Sequence, residues 1–172
     1  MSEIKIKLSS DLYILKVDSS NIDEFASILT EAANWLISEN KENWDPLKFT
    51  IENIQENNNL DELYLCYVGK EAIGCFKLQE SDEMFWPDDM HGEALYLHKL
   101  AVRRKYAGQG VSAYILSWAK AKVKEKGSKY LRLDCLTNRE KLCRVYENQE
   151  FVKVEERLVF GEVKSALYEF KI

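Results

Sequence analysis

The stretch that most restricts the fold runs from residue 100 to residue 113. An apolar strand-like run ends at Val102, residues 103–107 form a basic loop, and Gly108 and Gly110 precede a helical pattern. Glycines let backbone N–H groups approach an anion without interference from a Cβ atom. A helix N-terminus adds partial positive charge. The stretch therefore predicts a strand–loop–helix unit suited to binding phosphate.

Hydrophobic periodicity along the rest of the chain predicts a mixed sheet. Runs rich in β-formers predict strands over residues 12–17, 63–68, 72–78, 93–102, 130–136, 151–160 and 166–172. Helical spacing predicts a helix ending near Ser38, a second opened by Asp45-Pro46, and two more over residues 109–126 and 139–148. A hairpin signature at residues 68–71 is followed later by a strand–helix–strand order, which requires antiparallel and parallel neighbours.

These elements predict an α/β (α+β) fold with a mixed, mostly antiparallel central sheet. About seven strands would be flanked by about four helices, in a single domain spanning residues 1–172. Gly74 within one predicted strand indicates a bulge.

Charge is distributed unevenly along the chain. Residues 1–98 carry 7 basic and 20 acidic side chains, whereas residues 99–172 carry 17 basic and 9 acidic ones. The basic half suits a polyanion and the acidic half suits a cation. An isoelectric point near 5.2 argues against nucleic acid as the polyanion, so a phosphorylated small molecule fits better.

The cysteines and histidines predict no metal site. Two histidines, His91 and His98, and the absence of a C-x-x-C pair exclude zinc-finger spacing. The cysteines are expected to be buried reduced thiols, at Cys66, Cys75, Cys135 and Cys143. No apolar run approaches the roughly 20 residues that span a bilayer, and the first five residues lack a secretory pattern. We expect a cytoplasmic protein with no membrane partner, and a homodimer remains open.

A dinucleotide-binding fingerprint competes for the same glycines. Residues 108–113 match G-x-G-x-x-A, and Asp134 follows about 20 residues later at a strand end. However, residues 103–107 separate the strand from the glycines, and a hairpin precedes the motif. Both features count against a dinucleotide fold, whose fingerprint follows its strand directly and lies early in the chain.

The same stretch resembles the signature of the GNAT superfamily of N-acetyltransferases. Residues 105–110, Lys-Tyr-Ala-Gly-Gln-Gly, resemble Q/R-x-x-G-x-G/A after a strand ending Leu-Ala-Val, with Lys105 in place of Arg or Gln. A later block with Asn138, Tyr146 and Phe151 resembles the Asn, Tyr and Gly-Phe of the family, with Glu150 in place of Gly.

The resemblance implies acetyl-CoA as co-substrate. In the family the strand backbone pairs with the pantetheine, the glycine loop wraps the pyrophosphate, and the Asn contacts the cofactor where the fourth and fifth strands splay apart. The implied cofactor-binding residues are Leu100, Ala101, Val102, Lys105, Tyr106, Ala107, Gly108, Gln109, Gly110, Val111, Ser112 and Asn138.

The chemistry of amine acetylation requires a base and an acid, because an ammonium must lose a proton and the leaving thiolate must gain one. Tyr146 matches the family tyrosine that donates to the leaving sulfur. For the base, His98 is one candidate, on the strand face predicted to carry Leu100, and the alternatives are Glu93 and a water molecule. A structural role for His98 is equally open.

Two tryptophans are candidates for the acceptor site. Trp35 and Trp44 lie at and after the end of the first long helix, a region that borders the acceptor site in GNAT folds. Trp35 lies on the apolar stripe of that helix and is expected in the core, whereas the polar neighbours of Trp44 predict an exposed ring in the acceptor wall. With the acidic first half they indicate a small primary amine as acceptor, attacked directly. The alternatives are a non-catalytic acyl-CoA sensor on the same fold and a nicotinamide-dependent oxidoreductase.

Overall fold

The computed structural model describes residues 11–41, 44–159 and 161–172, which contain seven strands and four α-helices. The strands are β1 (Leu12–Lys16), β2 (Leu63–Val68), β3 (Glu71–Gln79), β4 (Ala94–Val102), β5 (Tyr130–Leu136), β6 (Val152–Val159) and β7 (Val163–Lys171). The helices are α1 (Ile22–Ser38), α2 (Ile51–Asn57), α3 (Val111–Glu125) and α4 (Glu140–Asn148). Residues 1–5 and Phe160, on which two of the sequence predictions fall, lie outside the described residues.

The strands form one mixed sheet in the order β1-β2-β3-β4-β5-β7-β6. Antiparallel pairing joins β1 to β2, β2 to β3, β5 to β7 and β7 to β6, while β4 and β5 run parallel. The predicted fold class is confirmed.

Within the described residues the chain divides into two compact units. The first contains the residues up to Lys77 together with Lys99–Ile115, and the second contains Leu78–His98 and Leu116–Ile172. In these ranges no helix combines the length and the apolar character needed to cross a bilayer.

The first unit is built around the apolar face of α1. Its stripe at helical spacing buries Phe25, Ile28 and Leu29 completely, in one cluster with Leu63 and Leu65 of β2. This face of the helix therefore forms core.

A short hairpin and a bulge shape β2 and β3. Gly69 lies in the two-residue turn at a φ of +57°, a conformation that favours glycine. The predicted irregularity at Gly74 is confirmed, because Cys66 pairs with Gly74 and the next residue skips to Ala72. A Cβ atom on Gly74 would lie 3.3 Å from the backbone oxygen of Ala101, so this position requires close backbone approach.

The segment before α2 differs from the prediction. Pro46 opens a short 3₁₀ turn, Pro46–Lys48, capped by Asp45, rather than the helix itself. Helix α2 starts at Ile51, where the hydroxyl of Thr50 accepts from the N–H of Asn53 at 3.2 Å. The Ser/Thr cap thus sets the helix start, as such residues commonly do.

The second unit contains the parallel strand pair. Ala94–Leu97 pairs with residues 130–133, and β5 continues to Leu136 beyond the last of these pairs. Leu131, Leu133 and Tyr168 are almost fully buried in this unit. The helix α4 follows β5 after a short turn that contains Asn138.

Candidate active site

The loop after β4 has the backbone form of an anion-binding turn. It begins with a 3₁₀ turn, Arg104–Tyr106, and continues through exposed residues 107–110 to the start of α3 at Val111. Gly108 has a φ of +73° and Gly110 a φ of +86°, where side chains are strained, and nothing lies within 4 Å of either Cβ position. The N–H groups of the first turn of α3 have no helical partner by geometry, so they are available donors.

The basic side chains of the loop are bound to acidic partners in the same unit. The Arg103 guanidinium donates to the carbonyl of Ala72 at 2.8 Å and to Glu24 at 2.9 Å. Lys105 forms an ion pair with Glu71, whose other oxygen accepts from the Tyr106 hydroxyl at 2.7 Å. These side chains hold the loop in place, so the donors that the loop leaves for an anion are its backbone N–H groups.

Acidic side chains that bind the loop after β4 change the interpretation of the uneven charge along the sequence. Glu24, Glu31 and Glu71 belong to the acidic half of the sequence, and each contacts the loop after β4. Glu31 accepts from the backbone N–H of Arg104 at 3.0 Å. Part of the acidic excess therefore fixes the basic loop rather than a cationic acceptor.

The strand that leads into the loop carries an interruption at Lys99. Its φ of +54° is unusual for a residue with a side chain, and burial lowers the pKa of its ammonium. Regular alternation along β4 is broken there, so the prediction that His98 and Leu100 share a face loses its basis. Leu100 and Val102 are half-buried and Ala101 is buried.

The remaining loop residues lie as follows. The Gln109 amide donates to the Lys105 carbonyl at 3.0 Å, Ala107 is exposed, Val111 is buried and Ser112 is half-buried. Gly110 accepts the first helical bond of α3, from the Tyr114 N–H at 3.0 Å.

The two predicted substrate tryptophans have structural partners. The Arg104 guanidinium stacks on the half-buried Trp35 ring at 3.7 Å from its centroid. Trp44 is half-buried against the core of the first unit, with its ring 5.9 Å from that of Phe49 in an edge-to-face arrangement. The expectation that Trp44 is the more exposed of the two, and Trp35 the core residue, is not what the structure shows.

In the second unit, His98 lies between two carboxylates. Its Nε2 is 3.0 Å from Oδ2 of Asp82, and its Nδ1 is 3.7 Å from Oδ1 of Asp134. Neither Nε2 nor Asp82 Oδ2 has an aligned hydrogen bond among the described residues, so the 3.0 Å contact lacks hydrogen-bond geometry. One histidine and two carboxylates within 4.8 Å of each other form a site that suits a cation.

The surroundings shift the pKa values of the two carboxyl groups in opposite directions. Burial favours a raised pKa for Asp82, but its contact with His98 outweighs burial and the pKa lies below the usual range. For Asp134 burial prevails, so its pKa is raised despite the attraction of His98 and a hydrogen bond from Ser165 at 3.0 Å. Sequence reasoning missed Asp82 altogether and considered Asp134 only as part of the competing dinucleotide fingerprint.

The rival base, Glu93, is engaged elsewhere. Its carboxylate lies 3.3 Å from the Arg132 guanidinium, which also contacts Asp89 at 2.6 Å and Glu169 at 3.0 Å. Arg132 is only 7% exposed and lies against the Trp86 ring. This cluster fixes the loop of residues 80–93 on β5, and it leaves Glu93 poorly placed to accept a proton.

The predicted acid, Tyr146, is on α4 and is 4% exposed. Its ring packs against Phe151 and Tyr168, each at a centroid distance of 6.0 Å. Burial raises the pKa of its phenol, so it stays protonated at neutral pH. Asn138 is exposed in the turn before α4, and Arg139 rather than Asn138 occupies the N-cap position.

Comparison with known proteins finds matches to both the sequence and the fold. The model of the acetyltransferase (GNAT) family matches residues 29–151. A curated relative, the uncharacterized N-acetyltransferase YesJ of Bacillus subtilis (strain 168), is 26% identical over 160 residues, which cover 88% of this chain and 89% of that protein.

Solved structures of similar fold cover nearly the whole chain. A GNAT-family acetyltransferase of Listeria monocytogenes 4b F2365 has a TM-score of 0.74 and 20% identity, covering 94% of this chain and 95% of its own. The yncA protein of Salmonella typhimurium, solved with its cofactor acetyl-CoA, has a TM-score of 0.65 and 12% identity and covers 94% of both chains.

Proposed function

The chain belongs to the GNAT family of acetyltransferases and uses acetyl-CoA as co-substrate, and on that premise we propose that it acetylates a small primary amine by direct attack. The observation that carries the proposal is the position of His98 between the carboxylates of Asp82 and Asp134. Such a site attracts an ammonium ion and contains a base that can remove its proton. The family assignment removes the nicotinamide oxidoreductase and the non-catalytic sensor.

The residues of the loop after β4 fit the pyrophosphate of acetyl-CoA. No atom of the described residues, apart from the chain neighbours, lies within 4 Å of the Cβ position at Gly108 or Gly110, so a phosphate can approach the backbone there. The N-terminus of α3 follows directly. Acetyl-CoA supplies the reactive thioester. Leu100–Val102 would pair with its pantetheine through the backbone, and Asn138 would contact it from the turn after β5.

We assign the base to His98 and the acid to Tyr146. His98 precedes Leu100 by two residues in β4, so the base and the strand that orients the thioester are neighbours along the chain. Tyr146 retains its proton at neutral pH because burial raises its pKa, and it can give that proton to the leaving sulfur. Of the other predicted acceptor residues, Trp35 and Trp44 remain candidates for the apolar wall, and Glu93 is held by Arg132.

We also propose that the chain acts as one acetyltransferase domain. The strands β3 and β4 and the helix α3 each begin in one compact unit and end in the other. Separating the units would cut three elements, so a single unfolding transition in a thermal melt is expected.

The test is release of coenzyme A thiol from acetyl-CoA with a panel of probes: alkylamines, aralkylamines, polyamines, amino acids and lysine peptides. We expect N-acetylated product, identified by mass spectrometry, with at least one small primary amine. His98→Ala should lower the rate at least 10-fold, because a general base contributes on the order of 100-fold or more. His91→Ala is the matched control, since His91 is the other histidine and is exposed in a loop.

Two outcomes would contradict the proposal. Acetylation confined to the peptides would exclude the small-amine acceptor. Direct attack predicts that acetyl-CoA alone leaves the mass of the protein unchanged, so an acetyl-enzyme seen by mass spectrometry before any acceptor is added would replace it with a covalent mechanism.

A further inference from the structure

Asp82 has a buried oxygen that faces Nε2 of His98 at 3.0 Å. Its side chain is 5% exposed, and its Oδ1 accepts from the backbone N–H of Phe85 at 3.2 Å. Oδ2 and the facing Nε2 of His98 are both buried and lack an aligned partner among the described residues. Leaving a buried polar atom unsatisfied costs free energy, so a small rotation of the ring that aligns this pair is favoured.

This pairing fixes the tautomer of the ring. An ionised carboxylate only accepts hydrogen bonds, and contact with His98 keeps Asp82 ionised. Nε2 therefore carries the proton, and Nδ1 keeps its lone pair. The same logic sets the roles of the two nitrogens in catalytic histidines oriented by a buried aspartate.

The distance between Nδ1 and Asp134 is the distance that a bridging ammonium nitrogen requires. Nδ1 and Oδ1 of Asp134 are 3.7 Å apart, which is too far for a hydrogen bond between them. A nitrogen atom placed between them can lie about 2.9 Å from both. Ser165 donates to the other oxygen of Asp134 at 3.0 Å and so fixes the direction of the carboxylate.

A divalent metal ion fits the same atoms less well. A metal ion binds one nitrogen of an imidazole, whereas Asp82 faces Nε2 and Asp134 faces Nδ1. A primary ammonium needs only Nδ1 and Asp134, and it leaves Asp82 free to hold the opposite nitrogen.

Building on the proposed amine acetylation, we propose that Asp82 is a positioning residue that holds the proton of His98 on Nε2. Nδ1 of His98 and Oδ1 of Asp134 then bind the primary ammonium of the acceptor, and Nδ1 is the base.

The proton balance of this step is complete. The ammonium gives one proton to Nδ1, and the resulting imidazolium lies between the carboxylates of Asp82 and Asp134. The nitrogen lone pair then attacks the acetyl carbonyl, the C–N bond forms and the C–S bond breaks. The second proton lost by the amine balances the one that the thiolate takes up, so one proton is released overall.

The first test reads the ring directly and needs no catalysis. Long-range ¹H–¹⁵N NMR distinguishes the two tautomers, and the chain has only two histidines, so His91→Gln assigns the signals. We expect neutral His98 to carry its proton on Nε2. Asp82→Asn should allow the Nδ1–H tautomer to appear, because a carboxylate that only accepts at Nε2 is replaced by a carboxamide that can also donate. Glu83→Gln, which removes an exposed acid from the same loop, should leave the tautomer unchanged.

The second test separates positioning from binding in the full chain. With the best amine of the panel, Asp82→Asn should lower kcat at least 10-fold, and Asp134→Asn should raise KM for the amine at least 10-fold. The decrease in kcat and the increase in KM should both be smaller with methoxyamine, because its nitrogen is unprotonated at neutral pH and needs no base. Affinity for acetyl-CoA should be unchanged in both variants.

The outcomes separate this inference from the proposed function. A proton on Nδ1 in the wild-type protein, or equal losses with both acceptors, would overturn the inference even if amines are acetylated. The expected tautomer without acetylation of any amine would leave the Asp82–His98 pairing intact and refute the proposed function. Thermal stabilisation by zinc chloride that Asp82→Asn abolishes would assign the cluster to a metal instead.

Discussion

Glu71 forms an ion pair with Lys105, the first residue of the glycine motif after β4. The same carboxylate accepts from the Tyr106 hydroxyl, so two consecutive loop residues are bound to β3. The exposed loop thus gains a fixed backbone without apolar packing. Preorganisation of this kind lowers the entropy that phosphate binding must overcome.

The loop geometry predicts that Gly110 contributes more to cofactor affinity than Lys105. Gly110→Ala forces a side chain into a φ of +86° at the start of α3, which costs about 1–2 kcal/mol and displaces the N–H groups. We expect acetyl-CoA to bind at least 10-fold more weakly, measured by calorimetry. Lys105→Gln should cost about 3-fold or less, because an exposed ion pair contributes little.

Gly92→Ala is the matched control for the backbone. Gly92 has a φ of +82° with nothing near its Cβ position, but it lies in the loop before β4. The Gly92→Ala variant should lose a similar free energy of unfolding to Gly110→Ala and keep its affinity for acetyl-CoA. Equal affinity losses in the two glycine variants would show that strain alone explains the effect.

The phenol of Tyr146 should affect turnover rather than folding. Tyr146→Phe keeps the ring contacts with Phe151 and Tyr168 and removes only the hydroxyl. Because the hydrogen bond to sulfur strengthens as charge develops there, kcat should fall at least 10-fold with little change in KM. The measurement is steady-state kinetics with the best amine acceptor.

Tyr168→Phe supplies the comparison. It removes a buried phenol whose hydroxyl donates to Glu147 at 2.9 Å, within the same aromatic group. Its kcat should stay near the wild-type value. Turnover of Tyr146→Phe at the wild-type rate would leave Tyr146 as a packing residue.

The local sequence pattern was enough to predict most of the strands and helices of the fold. The bounds of β2 and β5 match the predicted residues 63–68 and 130–136, because each is a short run of β-formers between turn residues. The start of α2 was misplaced because Pro46 suits the first turn of either helix type, and only the cap of Thr50 distinguishes them.

The acid–histidine cluster was beyond the reach of local pattern. Asp82 shares its loop with Glu83, Asp88 and Asp89, and nothing in their spacing says which one is buried. Only the tertiary fold brings Asp82 to His98. The same holds for Trp44, whose polar neighbours suggested exposure although its ring packs on Phe49.

The two carboxylates at His98 should affect the pH dependence of stability with opposite sign. The pKa of Asp82 is lowered from 3.8, so ionised Asp82 stabilises the fold at neutral pH, and this is lost as the pH falls through its folded-state pKa. The pKa of Asp134 is raised, so its ionised form destabilises the fold at neutral pH, and protonation relieves this cost.

Urea unfolding of the two asparagine variants at pH 7 and pH 3 measures this difference. Asp82→Asn should be less stable than the wild-type protein at pH 7, and the gap in free energy of unfolding should be smaller at pH 3. Asp134→Asn should be at least as stable as the wild-type protein at pH 7 and lose that relative gain at pH 3. Gaps that do not change with pH would mean that neither carboxylate has a shifted pKa.

Two cysteines on β5 and α4 should form a disulfide under mild oxidation. The Sγ atoms of Cys135 and Cys143 lie 3.2 Å apart, and both cysteines are free. Burial raises the pKa of the Cys135 thiol, whereas the half-buried Cys143 lines a cavity of about 230 Å³. Cys143 should therefore react first, with Cys135 as the resolving thiol.

Glutathione disulfide is the oxidant for the test, and it leaves as two molecules of glutathione while the protein loses two hydrogen atoms. Intact mass and peptide mapping should place the disulfide between Cys135 and Cys143, with the buried Cys66 and Cys75 unmodified. The closed loop is short, so the chain-entropy model gives roughly 2–3 kcal/mol of added stability to unfolding under oxidising conditions. Cys143→Ser is the control and should gain none. Mixed disulfides with glutathione on Cys143 that persist in the wild-type protein would show that Cys135 cannot reach it, and the predicted pairing would be wrong.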